Sequence, residues 1–282
     1  MPNNPISKVD IERYREDGFV FPIPVLSSAQ ALEYRKHYET LEARVSHQQE
    51  LSACLTNNAH FVIPMLNKLV RHRAILDAVE SVLGPDLMVW STTFWVKEAH
   101  SKGHVTWHQD LHYWGLSEDD EVTAWIAITP ATTENGCMRF VPGTHHRRVA
   151  HGDTFAPANM LSRGQAIAVD VDETQGVDVE LGAGQMSLHH GQLFHASGPN
   201  RSNDRRIGLA IRYIKPSMRQ VVGQRDYAWL VRGKDAYRHF ESPPIPTTDL
   251  DPVAVEHHRA MHNAQLDVFY QGVDEDKRPR RL

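Results

Sequence analysis

Leu87-Met88-Val89-Trp90-Ser91-Thr92-Thr93-Phe94-Trp95-Val96 carries no charge and is dominated by β-branched and aromatic side chains, a composition that suits a buried strand. The stretch divides the chain. Before it, apolar residues recur at helical spacing. Ser27-Ser28 can cap a helix over residues 29–44, with Leu32, Tyr34, Tyr38 and Leu41 as its apolar positions. A second helix is expected over 66–83, where Leu66, Leu69, Val70, Ile75, Leu76, Val79, Val82 and Leu83 broadly keep that period until Gly84-Pro85 stops it. After the stretch, short strands are expected at 122–129, 138–141, 166–171, 177–181, 185–188 and 207–214. Gly/Pro turns separate them, among them Pro142-Gly143, a pair that a type II turn favours. Residues 242–248 read as loop and 252–269 as a terminal helix. Many short strands with such turns point to a sandwich or barrel. There is no internal repeat and no long linker, so residues 1–282 read as one domain. The expected fold is mainly β with a helical cover, built on a double-stranded β-helix (a cupin-like jelly roll). Its helical part covers about 10–85, its jelly-roll core about 86–215, and a C-terminal loop and helix about 216–282.

Composition narrows the function classes. The 282 residues carry 41% hydrophobic and 23% charged side chains, as expected of a soluble globular protein. Thirty Lys+Arg against 35 Asp+Glu give a net charge of −5, which argues against nucleic acid as a partner. The basic end, Lys277-Arg278-Pro279-Arg280-Arg281, follows Asp274-Glu275-Asp276 and reads as a solvated tail. Cys54 and Cys137 are too few for a disulfide framework, and neither sits in a CxxC pair. A reduced, cytoplasmic setting is expected. Met1-Pro2-Asn3-Asn4-Pro5 opens no signal-peptide core, and no run of about 18 apolar residues offers a membrane helix.

The chemistry is concentrated in Thr106-Trp107-His108-Gln109-Asp110-Leu111-His112-Tyr113-Trp114. A histidine and a carboxylate two residues apart, with a distant second histidine, can occupy one face of a metal octahedron. That arrangement leaves three positions open and is typical of non-haem Fe(II) oxygenases. The triplet alone is weak, because 18 His and 19 Asp in 282 residues give about one HxD by chance. The chain has a second, His151-Gly152-Asp153, in a polar stretch that suits a surface turn, and two HxE pairs, His37-Tyr38-Glu39 and His239-Phe240-Glu241. His37 falls in an expected helix, where i and i+2 share no face. His108-Gln109-Asp110 ends an extended segment, where i and i+2 point the same way, and Trp107, Tyr113 and Trp114 could exclude water from it. The competing reading is a hydrogen-bonded His/Asp pair at a strand end.

His112, His145, His146, His189, His190 and His195 are candidates for the third ligand. His195 precedes a tight loop, Ala196-Ser197-Gly198-Pro199-Asn200, and then a strand on which Arg206, Gly208, Ala210 and Arg212 share one face. Small Gly208 and Ala210 would leave space for a molecule beside Arg206, whose planar fork suits a carboxylate. Against this, Arg205, Arg206 and Arg212 can be ordinary surface charges.

Four blocks, in order, resemble the phytanoyl-CoA dioxygenase family of Fe(II)/2-oxoglutarate oxygenases. They are His108 to Trp114, Val122 to Ile128 (Val-Thr-Ala-Trp-Ile-Ala-Ile), Glu134 to His145 (Glu-Asn-Gly-Cys-Met-Arg-Phe-Val-Pro-Gly-Thr-His), and His195 through Arg206. Asp17-Gly18-Phe19-Val20 is similar to the family's opening, so the resemblance runs over about 10–215. It implies Fe(II) held by His108, Asp110 and His195, and 2-oxoglutarate whose far carboxylate meets Arg206. Ser197, Trp125 and Thr93 would line the co-substrate pocket. The family's upstream co-substrate lysine has no counterpart near residue 56. Halogenating relatives replace the carboxylate ligand with a small residue. Asp110 therefore implies a hydroxylase, using O₂, and not a halogenase.

The substrate is less legible. The segment 145–178 lies between blocks of the resemblance and carries His145, His146, Arg147 and Arg148, which could meet an anionic group or simply be a solvated basic loop. The resemblance implies a C–H hydroxylase acting on a small polar or anionic metabolite, such as an amino acid, a phosphonate or a natural-product intermediate. The competing class is a non-catalytic, cupin-like ligand-binding protein. A Zn or Mn enzyme on the same ligands is a third.

Overall fold

A computed structural model describes residues 6–282. Residues 1–5, on which the signal-peptide expectation rests, lie outside the described residues. Six α-helices occur among the described residues: α1 (Lys8–Asp17), α2 (Ser28–Val45), α3 (Gln49–Thr56), α4 (Pro64–Leu69), α5 (Arg73–Leu83) and α6 (Pro252–Phe269). The strands are β1 (Phe19–Pro24), β2 (Leu87–Lys97), β3 (Val105–His108), β4 (Glu121–Ala127), β5 (Met138–Phe140), β6 (His151–Asp153), β7 (Gln165–Ile167), β8 (Val177–Val179), β9 (Gln185–His190), β10 (His195–Ser197), β11 (Arg206–Ile214) and β12 (Trp229–Arg232). Hydrogen bonding orders them as a six-stranded sheet β1-β9-β4-β11-β2-β12, a four-stranded sheet β3-β10-β5-β8 and a two-stranded sheet β6-β7. Among the described residues, no helix is long and apolar enough to cross a membrane.

The chain divides into two compact units. The first comprises Met1–Arg35, Trp95–His112 and Val122–Ala210, and the second Lys36–Phe94, Tyr113–Glu121 and Ile211–Leu282. In the first, side chains from the large and small sheets form one core. Phe19, Trp125 and Ala210 meet Met138, Phe140 and Val179, with Cys137, Leu181 and Leu193 filling in. This is the two-layer packing of a jelly roll, and each fully buried side chain of this size contributes roughly 1.5–3 kcal/mol. In the second unit, α5 turns Ile75, Leu76, Val79 and Leu83 inward. Ring pairs Tyr38–Phe94 (4.3 Å), Phe61–Trp229 (4.4 Å) and Trp90–Trp114 (5.1 Å) build its core.

The expected strands of 86–215 are all present, with ends moved by up to four residues, and the terminal helix spans the expected 252–269. Three readings need correction. The helix expected over 66–83 is two, because the chain breaks at 70–72: the Val70 carbonyl takes the Tyr213 hydroxyl at 2.8 Å, and His72 is extended. In α2 the apolar Leu32 is 48% exposed, while Ala31, Tyr38, Leu41 and Val45 carry the buried face. His151-Gly152-Asp153 is no surface turn but a strand paired with Gln165–Ile167. The sequence reading passed over α1, whose ends are strongly marked. Ser7 and Asp10 make a reciprocal capping box, and Gly18 closes the helix at φ 86°.

Candidate metal centre

His108 ends β3 and stands directly opposite His195, which opens β10. Directly opposed residues of an antiparallel pair project to one face, so strand register alone brings these rings together, 4.0 Å apart. Asp110 is not on the strand. It begins a single 3₁₀ turn, Asp110–His112, that returns its carboxylate to 3.2 Å from His108 Nε2. One donor atom from each of His108, Asp110 and His195 lies within 4.8 Å of the others. Two donors about 2.1 Å from one ion at a right angle stand about 3.0 Å apart, so the His108–Asp110 spacing suits neighbouring positions.

Backbone carbonyls orient both imidazoles. His108 Nδ1 faces the carbonyls of Thr106 (2.9 Å) and His195 (3.0 Å), and His195 Nδ1 faces that of Leu193 (3.0 Å). With Nδ1–H donating there, each Nε2 lone pair is left for an ion. All three side chains are buried.

Between the two ligands of the triplet, Gln109 turns away and ties down the flanking chain. Its amide donates to the carbonyls of Arg147 (2.7 Å) and Gln192 (2.6 Å), and its oxygen accepts from Val149 N (3.1 Å). Its backbone N–H donates to His151 Nε2 at 2.9 Å. His151 stacks on His112 at 4.1 Å. Burial first, and then the neighbouring His112, push His151 down to about 4, so it serves as a neutral acceptor. Its triplet partner Asp153 is paired with Arg163. The second HxD therefore props the first.

Beyond His195 the same unit buries an arginine. Arg206 is 2% exposed, and desolvation lowers its guanidinium to about 10. Nη1 donates to the Gly136 carbonyl at 2.8 Å, the group lies over the Trp125 ring at 5.4 Å, and Nε is buried with no hydrogen-bond partner among the described residues. Gly136 adopts φ 74°, and a Cβ there would sit 2.2 Å from the Gly198 carbonyl oxygen, so glycine permits the close approach that aims its own carbonyl at Arg206. Gly208 has a different role from the one expected. A Cβ there would lie 1.8 Å from Trp125, so its missing side chain makes room for that ring and not for a ligand.

Ser197 closes β10 and accepts a hydrogen bond from Lys97 Nζ at 2.7 Å. Sequence reasoning missed Lys97. Its one signal is a lysine that follows ten uncharged residues of an expected buried strand. Thr93 belongs to the second unit, where its hydroxyl accepts from Arg212 Nη1 at 2.8 Å. Trp107 reaches Glu173 (3.3 Å), and the ring contacts of Trp114 are with Trp90 and Arg212. Of the basic run, Arg147 lies over Phe194, and His146, Arg147 and Arg148 are exposed.

Comparison with known proteins adds three findings. The family model for phytanoyl-CoA dioxygenase matches residues 14–208. A probable alpha-ketoglutarate-dependent hypophosphite dioxygenase of Stutzerimonas stutzeri is 29% identical over 191 residues, spanning 66% of this chain and 62% of that protein. L-proline trans-4-hydroxylase of Streptomyces griseoviridis is 27% identical, spanning 71% of this chain and 84% of that protein. The alignment thus covers just under two thirds of the first relative's length. Among solved structures, the non-heme monooxygenase ThoJ in its apo form is 38% identical, covers 93% of this chain and 97% of its own, and superposes with a TM-score of 0.84.

Proposed function

The chain belongs to the phytanoyl-CoA dioxygenase family, and on that premise we propose that it is an Fe(II)- and 2-oxoglutarate-dependent dioxygenase that hydroxylates a C–H bond of a small polar or anionic molecule. The observation that carries this reading is the pairing of two half-sites in one unit. His195 of a His-Asp-His cluster, whose imidazole Nε2 atoms are oriented by carbonyls, opens β10. The same strand ends at Ser197, bonded to Lys97, whose nitrogen shares the Gly136 carbonyl with a buried, acid-free guanidinium. The donor set of two imidazoles and one carboxylate fits Fe(II) and leaves positions for a bidentate co-substrate. The buried guanidinium fits the far carboxylate of 2-oxoglutarate, a partner that would offset its desolvation.

When bound, Fe(II) with 2-oxoglutarate and O₂ supplies an oxidative decarboxylation that yields succinate and CO₂ and delivers one oxygen atom to the substrate. The protein's own residues do the rest. Arg206 and Ser197 fix the co-substrate's far end, and Trp125 holds Arg206 from behind. The carbonyls of Thr106, Leu193 and His195 fix the tautomers of His108 and His195. Gln109 and His151 hold the backbone between the ligands. As a carboxylate ligand Asp110 would take the place that halogenating relatives leave open for a halide, which favours hydroxylation over halogenation.

The same reading takes the whole chain as one oxygenase domain, supported by the match to ThoJ over 93% of its length. A small polar substrate is supported by the two curated relatives, named for hypophosphite and proline. The test is succinate formation from 2-oxoglutarate by the Fe(II)-loaded protein across small acids, amines, amino acids and phosphonates. Substrate-stimulated succinate that Asp110→Ala abolishes is the expected result. Full turnover in Asp110→Ala would refute the ligand assignment. No turnover and no 2-oxoglutarate binding would favour the ligand-binding class.

A further inference from the structure

Lys97 is the last residue of β2 and 1% exposed. Its nitrogen lies within hydrogen-bond reach of three oxygens: Ser197 Oγ at 2.7 Å, the Gly136 carbonyl at 3.4 Å, and the Gly198 carbonyl. The Gly136 carbonyl is also the acceptor for Arg206 Nη1, so two buried basic groups converge on one oxygen. The titratable and charged groups that act on Lys97 are Arg206, which disfavours its charge, and the Cys137 thiol, which is pushed up to about 11 and stays neutral. No carboxylate acts on either Lys97 or Arg206 among the described residues. A fold that buries two basic groups with no acid leaves an anion to be supplied from outside.

The three oxygens define what a proton on Lys97 does. An ammonium has three N–H donors, one for each oxygen, and then the Ser197 hydroxyl hydrogen is free to point away from the lysine. A neutral amine has two N–H donors and one lone pair. Its donors serve the two carbonyls, and the Ser197 hydroxyl hydrogen turns inward to the lysine lone pair. We propose that Lys97 is a positioning residue for the co-substrate: it takes up one proton from solvent when a dicarboxylate enters beside Arg206, and so turns the Ser197 hydroxyl hydrogen toward the incoming carboxylate. Burial, and then the charge of Arg206, hold free Lys97 down to about 6, so the amine is neutral at pH 8. A carboxylate nearby favours the ammonium. This rests on the proposed function, and it assigns to β2 a contact that the sequence does not place.

The test is calorimetric titration of 2-oxoglutarate into the Fe(II)-loaded protein without oxygen. It is run at pH 8 in phosphate and in Tris, whose ionisation enthalpies differ, and repeated at pH 6. For the wild-type protein the observed heats should differ between buffers by close to one proton taken up at pH 8. Because binding carries a proton, Kd should rise toward tenfold per pH unit above pH 6. In Lys97→Met the uptake should vanish, the pH dependence should flatten, and Kd at pH 6 should rise about tenfold or more. Lys97→Gln, which keeps a donor, serves if the methionine variant does not fold, and the wild-type buffer comparison decides by itself if neither does. Binding by the wild type with equal heats in both buffers would overturn this inference and leave the oxygenase reading intact. Uptake that persists in Lys97→Met would do the same. Failure of the wild-type protein to bind 2-oxoglutarate at all would overturn both.

Discussion

Arg206→Met separates a ligand-binding arginine from a structural one, because the two roles predict opposite results. The guanidinium is 2% exposed, keeps one hydrogen bond to the Gly136 carbonyl, and lies over Trp125. Methionine keeps much of the length and removes the charge. In the free protein the losses are a charge-assisted hydrogen bond of about 1.5–3 kcal/mol and a cation–π contact of about 1–2 kcal/mol. Against them stands a desolvation penalty of several kcal/mol for a buried ion that no acid compensates. Gly136 O also remains within reach of Lys97 Nζ at 3.4 Å. The balance is near zero or favourable, so Tm of the free protein should stay within about 4 °C of wild type or rise, at about 2–4 °C per kcal/mol for a chain of this size. With 2-oxoglutarate the sign reverses. Losing a bidentate contact to its carboxylate at about 1.5–3 kcal/mol raises Kd by about 10- to 150-fold. Thermal melts with and without 2-oxoglutarate, on Fe(II)-loaded protein without oxygen, measure both. A free-protein Tm lowered by more than about 8 °C with unchanged 2-oxoglutarate affinity would refute the reasoning.

Three further outcomes follow from the same geometry. Gly136→Ala places a methyl 2.2 Å from the Gly198 carbonyl oxygen at a positive φ, so it should cost about 1–3 kcal/mol and weaken 2-oxoglutarate binding; an unchanged urea midpoint would count against the close approach. Gln109→Leu removes three side-chain hydrogen bonds around the ligand loop and should lower Fe(II) affinity about 10- to 100-fold in a chelator competition, while retained affinity would deny it an orienting role. Two buried groups of the second unit should pull the pH dependence of stability in opposite directions. Burial pushes Asp226 up to about 6, so its folded form holds the proton more tightly and stability falls by about 3 kcal/mol as pH rises from about 4 to 6. Burial pushes His258 down to about 4, so stability rises by a similar amount from about pH 4 to 6.5. Urea unfolding over this range should steepen in Asp226→Asn and flatten or reverse in His258→Gln; parallel curves for the two variants would contradict both assignments.

How much of this was legible in the sequence depends on the distance over which each feature is decided. Strand composition is local, so the uncharged run ending at Val96 and the β-branched run around Trp125 both announced themselves. Helix ends were legible only where a cap or a breaker stood. Ser27 and Gln30 make a reciprocal cap that the sequence reading used in part. The equally clear Ser7-to-Asp10 box was overlooked, and α3, with no side-chain cap at Gln48, offered little to find. At the break the Val70 carbonyl is taken by Tyr213, more than 140 residues downstream, a partner that no local rule could supply.

The candidate site divides along the same line. Its metal half rests on a triplet and one strand partner, and a triplet at a strand end is a local pattern that resemblance then singled out from its duplicate at His151. Its anion half is assembled from four separate places: Lys97 at the end of β2, Gly136 before β5, Ser197 and Gly198 after His195, and Arg206 at the start of β11. Each reads alone as something ordinary, a strand-end lysine, a turn glycine, a loop serine or a surface arginine. β10 ties the two halves together, because it pairs β3 on one side and β5 on the other, which sets His195 against His108 and Ser197 against Met138, two residues beyond Gly136. A one-residue slip of β10 would turn His195 from the metal face and carry Ser197 from Lys97 together, because alternation along a strand inverts both. Register is thus the common cause of both half-sites, and a variant that disturbs it should lose metal and 2-oxoglutarate binding at once, whereas Asp110→Ala and Arg206→Met should each lose one far more than the other.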